Sequence, residues 1–264
     1  MSKSQPHKAR KRFGQNFLHD AGIIRRIVAC IAPKEGQRIV EIGPGKGALT
    51  EGIISVTKRM DVVELDRDLI PILRVNLFRY PDLVVHEADA MKFDFSTLTD
   101  QGNIRVVGNL PYNISTPLIF HLLSFNNHID DMHFMLQKEV VDRLAARPGD
   151  SLYGRLSVMA QYFCQVDNLF IVGPESFDPP PKVDSAIVRM TPHKTMPYVA
   201  HNLKQLEDSV RIGFQQRRKT LRNNYKGVLS DGDFEQLGID PSLRPERLDV
   251  KDFVNIANHI SKKD

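Results

Sequence analysis

Tryptophan is absent from this chain of 264 residues, and cysteine occurs only twice. Cys30 and Cys164 stand far apart in patterned segments. This argues against a disulfide framework or a thiolate metal site, and two buried free thiols are expected. No run is long and apolar enough to cross a membrane. The basic N-terminal stretch lacks the apolar segment of a signal peptide, so the cytoplasm is the expected compartment. Neither a membrane nor a metal is an expected partner. Internal repeats and low-complexity tracts are also lacking, which argues against a solenoid.

Acid is missing where base is concentrated. Between Arg211 and Lys226 stand Arg217, Arg218, Lys219 and Arg222, with no Asp or Glu. From Lys3 to Arg26, Asp20 alone opposes Lys8, Arg10, Lys11, Arg12 and their basic neighbours. The net charge is only +4, so the clustering is what informs. Two separated basic blocks suit a polyanion, and equally suit solvated helix faces. Arg211, Phe214, Arg217, Arg218, Leu221, Arg222 and Tyr225 recur at helical spacing. That predicts one basic helix, with Phe214, Leu221 and Tyr225 on the face that pins it to the catalytic domain and a row of arginines facing out.

The composition is ordinary for a globular protein, and the length allows one α/β domain with a smaller companion. Asp20 is placed to cap a helix through Ile23, Ile24, Ile27, Val28 and Ile31. Apolar, β-branched runs predict strands over residues 38–42, 61–65 and 83–86, in the run ending at Asn109, and over 132–136, 169–172 and 186–190. Helices are predicted from Ala48, over 69–78, through Arg143 and around 155–158. Strands alternating with helices at this spacing give a parallel sheet with right-handed crossovers. The proline-rich segment 177–182 reads as a rigid extended loop. From about Thr195 the pattern is helical, and Asp249 with Asp252 forms a capping signature for the last helix.

A glycine loop, Gly43-x-Gly45-x-Gly47, sits between the first strand and its helix. Glycines there let backbone approach a ligand. The same spacing satisfies a dinucleotide fingerprint, so the glycines alone leave NAD open. Glu41 stands where a pyrophosphate would lie, and its carboxylate would suit a cation better. Glu64 ends the second strand, where an acid can accept from both ribose hydroxyls. Asp89 follows the third strand and can accept from an adenine amino group. Any one of these acids is more often a solvated strand end or a cap. Three at successive strand ends beside a glycine loop are hard to attribute to coincidence.

The fourth strand closes on Asn109-Leu110-Pro111-Tyr112. An amide, a fixed turn and an aromatic surface suit a flat ring bearing an amino group. The lone pair of such an exocyclic amine, as on a purine, is delocalised into its ring. Accepting its N–H bonds with the Asn109 side chain and the Leu110 carbonyl would localise that pair. Tyr112 would stack on the base, and Phe177 is the candidate for its other face. Core packing is the competing reading for both rings.

The segments VEIGPGKGALT, VVELD, EADA and GNLPYNIS, in this order, resemble the ribosomal RNA adenine dimethyltransferases. RFGQNFL, FDPPPKVDSAIV and FQQRRKTLRN are similar to the same family, most closely its bacterial small-subunit branch. The resemblance covers nearly the whole chain. It implies an α/β, Rossmann-like class I methyltransferase domain with a mainly parallel seven-stranded sheet over residues 1–194, its first 15 residues a flexible basic arm. It also implies a small helical RNA-docking domain over 195–264. The implied cofactor is S-adenosyl-L-methionine, held by Asn16, Leu18, Gly43, Gly45, Glu64, Asp89 and Asn109. The implied catalytic set is Asn109, Leu110, Pro111, Tyr112 and Phe177, with Arg217, Arg218, Lys219 and Arg222 on RNA. The implied partners are small-subunit ribosomal RNA and the immature small subunit, with the enzyme a monomer. A binding-only assembly factor, a large-subunit rRNA methyltransferase and an NAD-dependent dehydrogenase are the alternatives. The intact Asn-Leu-Pro-Tyr, the FQQRRKTLRN block and Glu41 weigh against them in turn.

Overall fold

The computed structural model describes residues 16–100 and 102–263, so the arm expected over residues 1–15 lies outside the described residues. The elements run β1 (Phe17–Leu18), α1 (Ala21–Ile31), β2 (Ile39–Ile42), α2 (Ala48–Thr57), β3 (Met60–Glu64), α3 (Leu69–Asn76), β4 (Leu83–Glu87) and β5 (Ile104–Asn109). They continue α4 (Ser115–Leu123), β6 (Ile129–Gln137), α5 (Lys138–Ala145), α6 (Arg155–Phe163), β7 (Cys164–Val172), β8 (Phe177–Asp178) and β9 (Ser185–Pro192). The rest is helical: α7 (Leu203–Gly213), α8 (Leu221–Asn224), α9 (Asp231–Leu237) and α10 (Val250–Ile260).

A seven-stranded sheet has the order β4-β3-β2-β5-β6-β9-β7. Its members from β4 to β6 pair in parallel, and β9 returns antiparallel on β6. This is the mainly parallel, seven-stranded sheet that the resemblance implies. Ile39, Val40, Val62, Val106 and Val107 have at most a trace of exposed surface, as expected for central parallel strands. Gly108 lets β5 close on β2: a Cβ there would lie 2.6 Å from the Ile42 carbonyl oxygen. At the start of α1, the Asp20 carboxylate accepts from the N–H groups of Gly22 and Ile23 at 2.7 and 3.0 Å.

The head of the proline-rich segment is not a free loop. Phe177–Asp178 pairs antiparallel with Phe17–Leu18, matching Leu18 to Phe177 and Phe17 to Asp178. Neither this small sheet nor helix α4 is predicted from the sequence.

The chain forms two units. One takes residues up to Val141 and then Asp167–Pro192; the other takes Asp142–Val166 and the chain from His193 on. The chain therefore passes between the two units three times, where a single boundary after residue 194 is expected. The reason is apolar: Tyr153, Val158, Met159 and Tyr162 share a core with Phe214, Leu221, Tyr225, Phe234 and Phe253. The Phe214 and Phe253 rings stack 5.4 Å apart, and the Tyr225 hydroxyl donates to the Ser209 carbonyl at 2.7 Å. At the start of α10, Asp249 and Asp252 form the expected reciprocal cap.

The single basic helix is a further difference. Helix α7 stops at Gly213, a turn follows, and the short α8 resumes at Leu221. The Asn224 side chain holds that turn by accepting from the Gln216 N–H at 3.2 Å and donating to the Gln216 carbonyl at 3.3 Å. Phe214, Leu221 and Tyr225 are buried as expected, but within their own unit's core.

Candidate active site

Strands β2, β3 and β5 deliver their carboxyl ends to one cavity of about 460 Å³, in the first unit. Ile42, Glu64, Gly108 and Asn109 line it from those ends, and Asp89 from the loop after β4. Gly43 and Gly45 adopt φ of 66° and 59°, a left-handed conformation that lets the loop turn sharply into α2.

The acids differ in their surroundings. Glu64 is 6% exposed. Its Oε1 accepts from the Asp66 N–H at 2.8 Å and its Oε2 from the Gly45 N–H at 3.3 Å. Burial raises its carboxyl above the ordinary range, and these two N–H groups pull it back. Each oxygen keeps a lone pair for a further donor. Glu41 is buried beneath the glycine loop and accepts from the Thr50 hydroxyl at 2.5 Å. Burial pushes its carboxyl up to about 7, opposed by Thr50 and reinforced by the Glu64 charge. Asp89 is half-buried and accepts from the Met91 N–H at 3.0 Å.

At the end of β5, the Asn109 Nδ2 donates to the Asn16 carbonyl at 3.0 Å. Its Oδ1 is thereby left as an acceptor. The Leu110 N–H donates to the Met135 carbonyl at 3.2 Å, tying the turn to β6. Tyr112 is half-buried, and its hydroxyl bonds the Ser185 hydroxyl at 2.7 Å. Burial raises its phenol above the ordinary value, so it stays neutral and its ring is held by the tip.

Asn16, Leu18, Gly43, Gly45, Glu64, Asp89, Asn109, Leu110, Pro111 and Tyr112 all line the cavity. Phe177 does not join them. It is 2% exposed and packs in the core with Leu18, Ile27, Met135 and Ile187, while its neighbour Asp178 reaches the wall. Pairing with β1 turns this ring inward, so the core reading describes it here. Phe17 and Lys46 also line the cavity and are not predicted to; a position between Asn16 and Leu18 is the only sequence signal for Phe17. Among the described residues, no group of His, Cys, Asp and Glu is gathered to hold a metal.

The four cations expected on RNA lie in the second unit and are exposed. Two are engaged within it. Arg217 donates to the carbonyls of Ser151 and Tyr153 at 2.7 and 2.8 Å, and Arg222 to Asp231 at 2.8 Å.

A family model described as ribosomal RNA adenine dimethylase matches residues 6–262. The chain belongs to the ribosomal RNA adenine dimethylase family. It is 82% identical, over the full length of both chains, to the ribosomal RNA small subunit methyltransferase A of Marinomonas sp. (strain MWYL1). It is 59% identical to the protein of that name from Pseudomonas aeruginosa, covering 99% of this chain and 98% of the relative. Among solved structures it resembles a dimethyladenosine transferase from Plasmodium falciparum. That match has a TM-score of 0.80 and 29% identity, and covers 93% of this chain and 98% of the other. The 23S rRNA methyltransferase ErmE shares the fold, with a TM-score of 0.74 at 22% identity over 93% of this chain and all of the other. In this dimethylase, the match spans the strand ends that build the cavity and the helical unit that carries the basic turn.

Proposed function

We propose that this chain transfers methyl groups from S-adenosylmethionine to N6 of two adjacent adenines in a 3′-terminal hairpin loop of small-subunit ribosomal RNA, giving N6,N6-dimethyladenosine. Its working form is a cytoplasmic monomer acting on the immature small subunit. Family membership and near-complete coverage by small-subunit methyltransferases support the substrate. Among the described residues, no helix is long and apolar enough to cross a membrane.

The cavity fits the cofactor. Glu64 offers lone pairs to two ribose hydroxyls, and Asp89 on the cavity wall is an acceptor for an adenine amino group. The two glycines keep side chains out of the space between. Glu64, joined by Glu41 once its proton is lost, makes that end of the cavity anionic, which suits a cation and repels a pyrophosphate. When bound, the cofactor supplies an electrophilic methyl on a sulfonium, a good leaving group.

The observation that carries the reading is the Asn109 amide, donating to Asn16 and keeping Oδ1 as an acceptor. With the Leu110 carbonyl, it accepts both N6–H bonds of the target base and directs the nitrogen lone pair away from the ring. No strong base is required, because the nitrogen that has taken the methyl carries the positive charge lost by the sulfonium, and its N–H is acidic enough to lose its proton to water. Tyr112, held by Ser185, gives the base one stacking face. A base inside a helix cannot reach this edge, so it must be looped or flipped out. Positioning and electrostatics then supply most of the acceleration.

The test is Asn109→Ala. It keeps the backbone of β5 and removes only the amide. Turnover on small subunits from cells lacking the enzyme should fall by roughly 2.7–4 kcal/mol of barrier, the range typical of one lost oriented group. RNA affinity and melting temperature should stay near wild type. Near wild-type methylation by this variant would sink the proposal.

A further inference from the structure

The orientation of an asparagine amide is not fixed by its own torsions, since the last one is broad and roughly two-fold. If the Asn109 amide turned over, its NH2 would face the amino group of the base, donor against donor. What prevents this is the Asn16 carbonyl, 3.0 Å from Nδ2. That carbonyl belongs to the backbone, so the Asn16 side chain does not place it. The strand around it does.

Several contacts hold that strand. The Phe17 ring lies on the glycine loop, so that a Cβ on Gly45 would come within 3.1 Å of it. The Lys46 Nζ sits 4.6 Å from the centre of the same ring. Leu18 is buried in the core, and the His19 N–H donates to the Ser176 carbonyl at 3.0 Å. Phe17 is thus the side chain next to the orienting carbonyl, and its ring is clasped by a loop residue without a Cβ and by a cation.

We propose that Phe17, clasped by Gly45 and the Lys46 ammonium, is a positioning residue that holds the Asn16 carbonyl against Asn109 and so sets which way the catalytic amide faces. The inference rests on the reading of Asn109 as the acceptor for N6. A flat ring is needed because it packs closely on the glycine and presents its electron-rich face to the ammonium. An aliphatic side chain fills the space without offering that face. Lys46 is exposed, and its part in this arrangement is to hold the ring.

The experiment is steady-state methylation of undermethylated small subunits by Phe17→Leu, Phe17→Tyr, Lys46→Met and Lys46→Arg, with cofactor affinity measured by calorimetry. In Lys46→Met and Phe17→Leu, kcat should fall on the order of three- to ten-fold, the scale of a lost cation–aromatic contact. The KM for RNA and the cofactor Kd should stay within about two-fold. Lys46→Arg and Phe17→Tyr should recover most of kcat. Lys46→Met alters a solvent-facing side chain, so it keeps the test readable if Phe17→Leu unfolds. A raised KM with unchanged kcat would make Lys46 a phosphate contact and overturn the inference. A weakened cofactor Kd with unchanged kcat would confine Phe17 to its place in the cavity wall and overturn it too, as would no change at all. Asn109→Ala is run alongside. If it keeps full activity, the functional reading fails; if it loses activity while the Phe17 and Lys46 variants keep theirs, only the inference fails.

Discussion

Glu41 is the residue whose chemistry the fold alters most. Its carboxyl is pushed from an ordinary 4.5 up to about 7 by burial. The folded protein therefore holds this proton at a pH where the unfolded chain has lost it. Stability of the free protein should fall as pH rises from about 4.5 towards 7, then level off. A cationic cofactor favours the carboxylate, so its affinity should rise through the same window, by up to about ten-fold per pH unit. Melting curves across that range, and calorimetry in two buffers of different ionisation enthalpy, check both. Glu41→Gln should flatten the two dependences. The side chains at strand ends were legible in the sequence because an apolar run and its closing residue fix where the backbone points. Glu64, Asp89 and Asn109 reach the cavity for that reason. The direction of the Phe177 ring was not legible, because it depends on pairing with Leu18, a residue remote in sequence.

At the level of elements, the close approach of β5 to β2 is the least forgiving contact. Gly108→Ala would drive a methyl onto the Ile42 carbonyl, which is backbone and cannot move aside. The variant should lose roughly 2–3 kcal/mol in urea unfolding, and activity with it, since Asn109 is the next residue. The main strands were readable from β-branched runs, and α1 and α10 from their capping acids. The break in the basic helix was not, because Asn224 achieves it by bonding backbone across the turn. The four cations expected on RNA differ in their local partners, although all stay exposed. Arg217 bonds the Ser151 and Tyr153 carbonyls and Arg222 pairs with Asp231, whereas Arg218 and Lys219 extend from the turn. Arg218→Ala with Lys219→Ala should raise the RNA KM and flatten the salt dependence of binding by roughly 1.5 in log–log slope, with melting unchanged. Arg217→Ala should instead lower the melting temperature, since two carbonyls lose their donor. Salt titration and thermal melts of the two variants separate the roles.

For the molecule as a whole, the helical unit is discontinuous in sequence. Residues 193–264 alone would lack Tyr153, Val158, Met159 and Tyr162, which complete the core around Phe253. That fragment should show little cooperative helix by circular dichroism, and joining residues 142–166 to it through a short linker should restore a cooperative melt. Sequence reading placed the boundary where strands gave way to helices; it could not see that an earlier segment shares the later core, because shared burial leaves no local mark. The sheet has a related property. Strand β9 lies between β6 and β7, although β7 is earlier in the chain. During synthesis, β7 leaves the ribosome with no edge in this sheet to join, since its neighbour has yet to be translated. Ile187 of the cavity wall arrives with that late strand β9. A nascent chain halted before residue 185 thus carries every strand end of the proposed cofactor site, but neither Ile187 nor the Ser185 hydroxyl that anchors Tyr112. Such a stalled chain could bind cofactor before it could methylate RNA.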